Sequence, residues 1–180
     1  MNSNPKSKRR AAGGFTLIEV LIVIGITGIF MIASYPSIMN TMAMRNLDNT
    51  TRQVQTYLHQ TKLRSVTTKI PQRVRFYQVD SAYWAYEMEE EQPDGTTWAR
   101  VPGAPRKTIP DRFTVTISLP ASGSDHIAVF SPIGTVPNFA VGQNEIVIQS
   151  PKLRRLGQMD ERVISVFMGG SISYAKRASL

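Results

Sequence analysis

Three groups of side chains are of types that can do chemistry, and each sits in a setting that narrows what the chemistry is. The first is Glu19, one carboxylate inside Phe15-Thr16-Leu17-Ile18-Glu19-Val20-Leu21-Ile22-Val23-Ile24 and the apolar run that continues to Ala33. A carboxylate costs about 2.5–3.5 kcal/mol at the centre of a membrane helix and less near its end. Glu19 therefore calls for a partner. The second group is Glu87, Glu89, Glu90 and Glu91. Calcium wants about six to eight oxygens from separated loop positions, so a run along one strand reads instead as a solvated strand end. The third is basic: Lys152, Arg154 and Arg155, with Arg106, Lys107, Lys176 and Arg177, are candidate contacts for DNA phosphates.

Other chemistries lack their residues. The chain has no cysteine, which excludes thiol catalysis, disulfides and cysteine metal ligands. His59 and His126 stand in no metal-spaced motif and read as surface or hydrogen-bonded histidines. No Gly-x-Ser-x-Gly elbow, phosphate loop or carboxylate pair with a histidine is present, so an anchored enzyme is a remote alternative, and no cofactor is called for.

The elements that must position Glu19 begin with a leader. Lys6, Lys8, Arg9 and Arg10, with no acid among the first 14 residues, account for half of the +8 formal charge. They hold that end cytoplasmic and send the remainder across a membrane. Residues 15–33 then carry one charge over a length that, as a helix, spans roughly the 30 Å of a bilayer core. A secretory signal would have a shorter apolar run, no acid and an Ala-x-Ala site. A plain anchor accounts for neither Glu19 nor Gly13-Gly14.

The basic leader, Gly14-Phe15-Thr16-Leu17-Ile18-Glu19 and the apolar helix after them resemble the class III signal of type IV pilins and type II secretion pseudopilins. The resemblance implies cleavage by a prepilin peptidase after Gly14 and N-methylation of Phe15 as the new N-terminus. It implies that Glu19 faces the N-terminal amine of a neighbouring subunit, and that the stretch from Gly28 to Pro36 loosens as subunits pack. The physics agrees, since an ammonium and a carboxylate in hydrocarbon gain by pairing and either one alone is uncompensated.

Beyond the span, residues 37–69 contain no glycine or proline. Leu47, Val54, Leu58 and Thr61 or Lys62 recur at helical spacing, with Arg45, Asp48, Arg52, Gln55 and Gln60 assigned to the other side. A helix over residues 15–69 would measure about 80 Å and end at Ile70-Pro71. The period then changes to two. Residues 72–79 and 82–88 read as a hairpin about Asp80-Ser81, with Tyr77, Tyr83, Trp84 and Tyr86 as cross-strand aromatics. Residues 112–119, 126–136, 145–149, 163–167 and 171–174 are further strands, the last two joined through Gly169-Gly170. Six or seven strands after one helix imply an α+β architecture with an antiparallel sheet packed on the stalk.

The segment from Leu63 to Phe76 is similar to the stalk end of the GspH/FimT family of minor pilins and pseudopilins, and Phe130-Ser131-Pro132-Ile133-Gly134 is similar to its Phe-x-Pro-x-Gly turn. The resemblance implies a pilin-like fold: a leader over residues 1–14, a transmembrane assembly helix over 15–36, an amphipathic stalk over 37–70 and a β-rich domain over 71–180. It implies a single-pass inner-membrane protein with its C-terminal domain exported. The partners implied are prepilin peptidase, other pilin subunits, an inner-membrane assembly platform and membrane lipid, with exported substrate or DNA beyond them. Some FimT-like minor pilins bind DNA through a C-terminal segment containing arginine. Gly169-Gly170-Ser171-Ile172-Ser173 carries none, so DNA uptake stands as the alternative to a structural role.

Overall fold

The computed structural model describes residues 15–80 and 83–179, and the architecture is α+β. Among the described residues one long helix, α1 (Leu17–Thr68), precedes ten strands and a short second helix. The chain divides into two compact units, one reaching Met39 and the other starting at Asn40, so α1 contributes to both. Pro36 lies within α1 without ending it.

In the second unit the apolar spacing of α1 does what it suggests. Leu47, Val54, Tyr57 and Leu58 are buried on one stripe, with Thr61 and Ser65 continuing it. The first sheet takes β1 (Gln72–Val79), β2 (Tyr83–Glu91), β3 (Trp98–Arg100), β4 (Lys107–Ile109), β6 (Ala121–Ser122) and β7 (Asp125–Phe130). Its order is β3-β2-β1-β7-β6, with β4 also on β2. The second takes β5 (Thr114–Ser118), β8 (Glu145–Gln149), β9 (Glu161–Val166) and β10 (Ile172–Arg177), in the order β10-β9-β8-β5. All the pairings are antiparallel. Alternation decides which face each strand buries. Val74 and Phe76 of β1, Tyr86 and Met88 of β2, and Ile146, Ile148 and Ile164 of the second sheet join the α1 stripe in one apolar cluster.

Several expectations change. Asp48, assigned to the outer side of the helix, faces β9 and β10. Its carboxylate accepts from Arg162 Nε at 2.5 Å, Lys176 Nζ at 2.7 Å and the Tyr174 hydroxyl at 3.0 Å. Arg162 is fully buried and also donates to the carbonyls of Met159 and Glu161. Helix α1 stops at Thr68 because Lys69 turns left-handed, with φ of 59°, one residue before the site expected from Pro71. The 72–79 hairpin holds, but its aromatic pair is Phe76 with Tyr86, stacked at 5.6 Å, and Tyr57 of α1 meets Tyr86 edge-on at 5.1 Å. Tyr77 lies opposite Ala85.

Strand β7 ends at Phe130, and residues 131–135 form a turn rather than more strand, closed by the Ser131 N–H, which donates to the Thr135 carbonyl at 2.9 Å, and by the Gly134 N–H, which donates to the Ser131 carbonyl at 2.8 Å. Gly134 there has φ of 82°, which suits glycine. The Gly169-Gly170 turn joins β9 to β10, and a Cβ on Gly170 would stand 1.8 Å from the Gly134 carbonyl oxygen. The two turns thus meet, and α1 reaches both: Lys62 Nζ donates to the Gly170 carbonyl at 2.8 Å and the Ser65 hydroxyl to the Ser131 carbonyl at 3.0 Å.

The Asp48 site makes stability depend on pH. Burial alone would raise its pKa, but the bonds from Lys176, Arg162 and Tyr174 prevail and hold it below the ordinary carboxylate value. A depressed folded-state pKa contributes stability above the unfolded-state value and loses it as pH falls through the folded value. Asp48→Asn is expected to cost on the order of 3–5 kcal/mol at pH 7, because it leaves buried Arg162 uncompensated. Denaturant melts of both proteins should converge as pH drops below about 4. A difference that stays constant from pH 7 to pH 3 would overturn this account.

Candidate functional site

The candidate assembly site is the first unit of α1. Phe15 and Thr16 precede the helix, and Gly14 lies outside the described residues. Thr16 caps the helix: its hydroxyl accepts from the Glu19 N–H at 3.3 Å, and its carbonyl from the N–H groups of Glu19 and Val20 at 3.1 and 3.3 Å. Thr16-x-x-Glu19 is the spacing of a capping box. The spacing was not read as a cap from the sequence alone; it puts Glu19 in the first turn, on the positive end of the helix dipole.

From Phe15 to Ile38 the apolar side chains point to every side of the helix and are exposed among the described residues. Phe15 is 82% exposed, Leu17 81%, Phe30 68% and Ile32 78%. Among the described residues, α1 is the one helix long and apolar enough to cross a membrane. Two of its hydroxyls are satisfied within the helix: Thr27 donates to the Val23 carbonyl at 2.6 Å and Ser34 to that of Phe30 at 2.8 Å. A helix apolar on all sides has either lipid or other helices as its solvent, and internal satisfaction of polar groups is what both require. Gly28 sits within this stretch with open space where a Cβ would project.

The basic candidates do not form one group of equivalent side chains. Lys152, Arg154 and Arg155 project exposed from α2 (Pro151–Arg155), which Ser150 caps and buried Leu153 anchors. Lys176 is engaged by Asp48, and Arg177 lies 3.5 Å from Glu145 and 3.4 Å from Glu161. Arg106 stacks on Tyr77 with its guanidinium carbon 5.0 Å from the ring centre, and Lys107 lies 5.8 Å from the centre of Tyr57.

The acidic run is not a solvated strand end. Cross-strand register sets Glu89 against Arg73 and Glu87 against Arg75; Arg73 closes on Glu89 at 2.6 Å, and Arg75 lies 3.7 Å from Glu87 and, diagonally, 3.0 Å from Glu89. Arg75 also meets Asp125 at 2.9 Å, and Arg64 meets Glu90 at 3.5 Å. Glu89 is 4% exposed. The sequence hides this network because the arginines belong to a different strand, and only the register brings opposite charges together. His126 Nδ1–H donates to the Leu119 carbonyl at 3.0 Å, and His59 is exposed.

Residues 9–35 match the family model of the prokaryotic N-terminal methylation motif. No curated protein and no solved structure matches the chain.

The cap gives a direct test of the geometry around Glu19. Thr16→Ala should cost about 1 kcal/mol of local helix stability and speed amide exchange at Glu19 severalfold in the micelle-bound chain. Unchanged exchange at that amide would show that Thr16 does not hold the first turn.

Proposed function

We propose that this chain is a minor pilin or pseudopilin subunit that assembles through its N-terminal helix into a type IV pilus or a type II secretion pseudopilus. The methylation motif supports a type IV pilin-like or pseudopilin protein, structural rather than enzymatic, and it implies processing by a prepilin peptidase and assembly with other pilins. The observation that carries the reading is the uncovered apolar helix with one carboxylate in its first turn.

In this reading the peptidase cuts after Gly14, and Phe15 becomes the methylated N-terminus. The chain sits in the inner membrane with the domain from Asn40 onward exported, and an assembly platform extracts it into the filament. Glu19 pairs with the N-terminal amine of a neighbour, and Gly28 and Pro36 supply the part of the helix that yields as subunits pack. A minor subunit of the GspH/FimT type fits the turn at Ser131–Thr135 and the helix end at Lys69.

Glu19→Val should insert in the membrane and be cleaved normally, yet enter filaments at least about tenfold less than the parent, since the neighbour's ammonium loses its partner. Equal incorporation of the variant, measured by blotting sheared filaments, would remove the role given to Glu19. Retention of the leader by Gly14→Val but not by Glu19→Val would separate processing from assembly.

One observation favours a second reading, contact with DNA. Lys152, Arg154 and Arg155 are exposed, and no acid pairs with them among the described residues. Three phosphate contacts would give double-stranded DNA binding a log–log salt slope of about −2 to −3. Lys152→Gln, Arg154→Gln and Arg155→Gln together should flatten that slope in the full chain in neutral detergent. Absence of binding at low salt would eliminate this reading and leave the structural role intact.

A further inference from the structure

A groove of about 530 Å³ runs between the second half of α1 and the loop Val101-Pro102-Gly103-Ala104-Pro105. That volume falls within the roughly 300–1,000 Å³ of ligand pockets. Tyr57, Leu63, Met88, Val101 and Pro102 give it apolar walls. Leu63 is 67% exposed on a part of the helix whose other outward positions are polar. The loop is fixed and not merely adjacent: the Tyr57 hydroxyl donates to the Pro105 carbonyl at 3.0 Å, and Val101 N–H donates to the Met88 carbonyl at 2.9 Å.

Arg64 is the one charged residue lining the groove among the described residues, and no acid lines it. Its Nε is buried with no hydrogen-bond partner, and its contact with Glu90 is long, at 3.5 Å. The Arg64 side chain is nevertheless 40% exposed, and a carboxylate in the groove would take its open terminal N–H groups in the bidentate geometry arginine favours. Across the strand pair from Glu90 lies Gln72, fully buried, whose two side-chain amide atoms also lack partners.

We propose that this groove docks an extended segment of another polypeptide, which places an apolar side chain of leucine size between Leu63, Met88 and Pro102 and a carboxylate against Arg64. The charge of the lining selects the carboxylate, and the fixed loop facing a helix selects an extended chain rather than a helix. The site is separate from the apolar helix of the first unit and from the basic residues of α2.

The test uses the full chain in detergent micelles with methyl-labelled methionine, and reads the Met88 methyl resonance. The probes are acetyl-Ala-Ala-Leu with a free carboxylate, the same peptide as its C-terminal amide, and hexanoate. The carboxylate peptide should shift Met88 saturably at millimolar or lower concentration, with the amide and hexanoate each at least about tenfold weaker. Arg64→Gln should abolish the preference for the carboxylate, and Thr67→Trp, at an exposed groove position, should block both peptides while the other methionine resonances stay in place. The proposal is overturned by a Met88 resonance that does not move, by equal binding of peptide acid and amide, by tighter binding of hexanoate, or by a carboxylate preference that survives Arg64→Gln.

Discussion

Both sheets are built against a single stripe of α1, and the domain depends on that packing. Leu47, Val54, Tyr57 and Leu58 belong to the same buried cluster as residues of β1, β2 and β7 and of β8 and β9. Each sheet has one apolar face, and an uncovered apolar face is unfavourable by about 1.5–3 kcal/mol for each large side chain left in water. The polar contacts act differently. Asp48 ties β9 and β10 to one end of the stripe, while Lys62 and Ser65 tie the two neighbouring turns to the other. Apolar burial supplies the stabilisation, and these bonds fix the position of the helix along the sheets.

The close approach of Gly134 and Gly170 follows from the same arrangement. Two turns from different sheets must fit under one helix end, and only residues without Cβ leave room for a carbonyl at that distance. The Lys62 ammonium then bonds the carbonyl of Gly170 rather than a carboxylate. A side chain that spacing places on the edge of an amphipathic face becomes a fastener because a backbone acceptor is brought to it.

Local patterns in the sequence carried the parts of the fold that local physics decides. The α1 stripe, β1 and β8 follow from periods of 3.6 and 2, and the Gly169-Gly170 turn from glycine's freedom at positive φ. What was not legible depends on partners distant in the chain. Strands β3, β4 and β6 are two or three residues long and exist only through pairing with β2 and β7, so ten strands form where six or seven were read. Asp48 turned inward because Arg162, far along the chain, is buried opposite it. The acidic run changed meaning once register set Arg73 and Arg75 beside it. In the first unit the pattern was legible almost throughout, since a helix apolar on all sides needs no tertiary context to be recognised.

Magnitudes decide what Glu19 still requires. Its place in the first turn, capped by Thr16, gives it a favourable dipole worth about 0.3–1 kcal/mol. Burial in hydrocarbon costs up to about 2.5–3.5 kcal/mol, so the helix end offsets only part of it. The described residues of the first unit contain no cation to supply the rest. In the assembly proposed above the remainder comes from outside this stretch of chain, since an N-terminal amine on a neighbouring apolar helix is a cation that can reach the first turn without bringing its own side chain into the hydrocarbon. On that proposal an isolated span is the less favourable state for this segment, and association with like helices would relieve it.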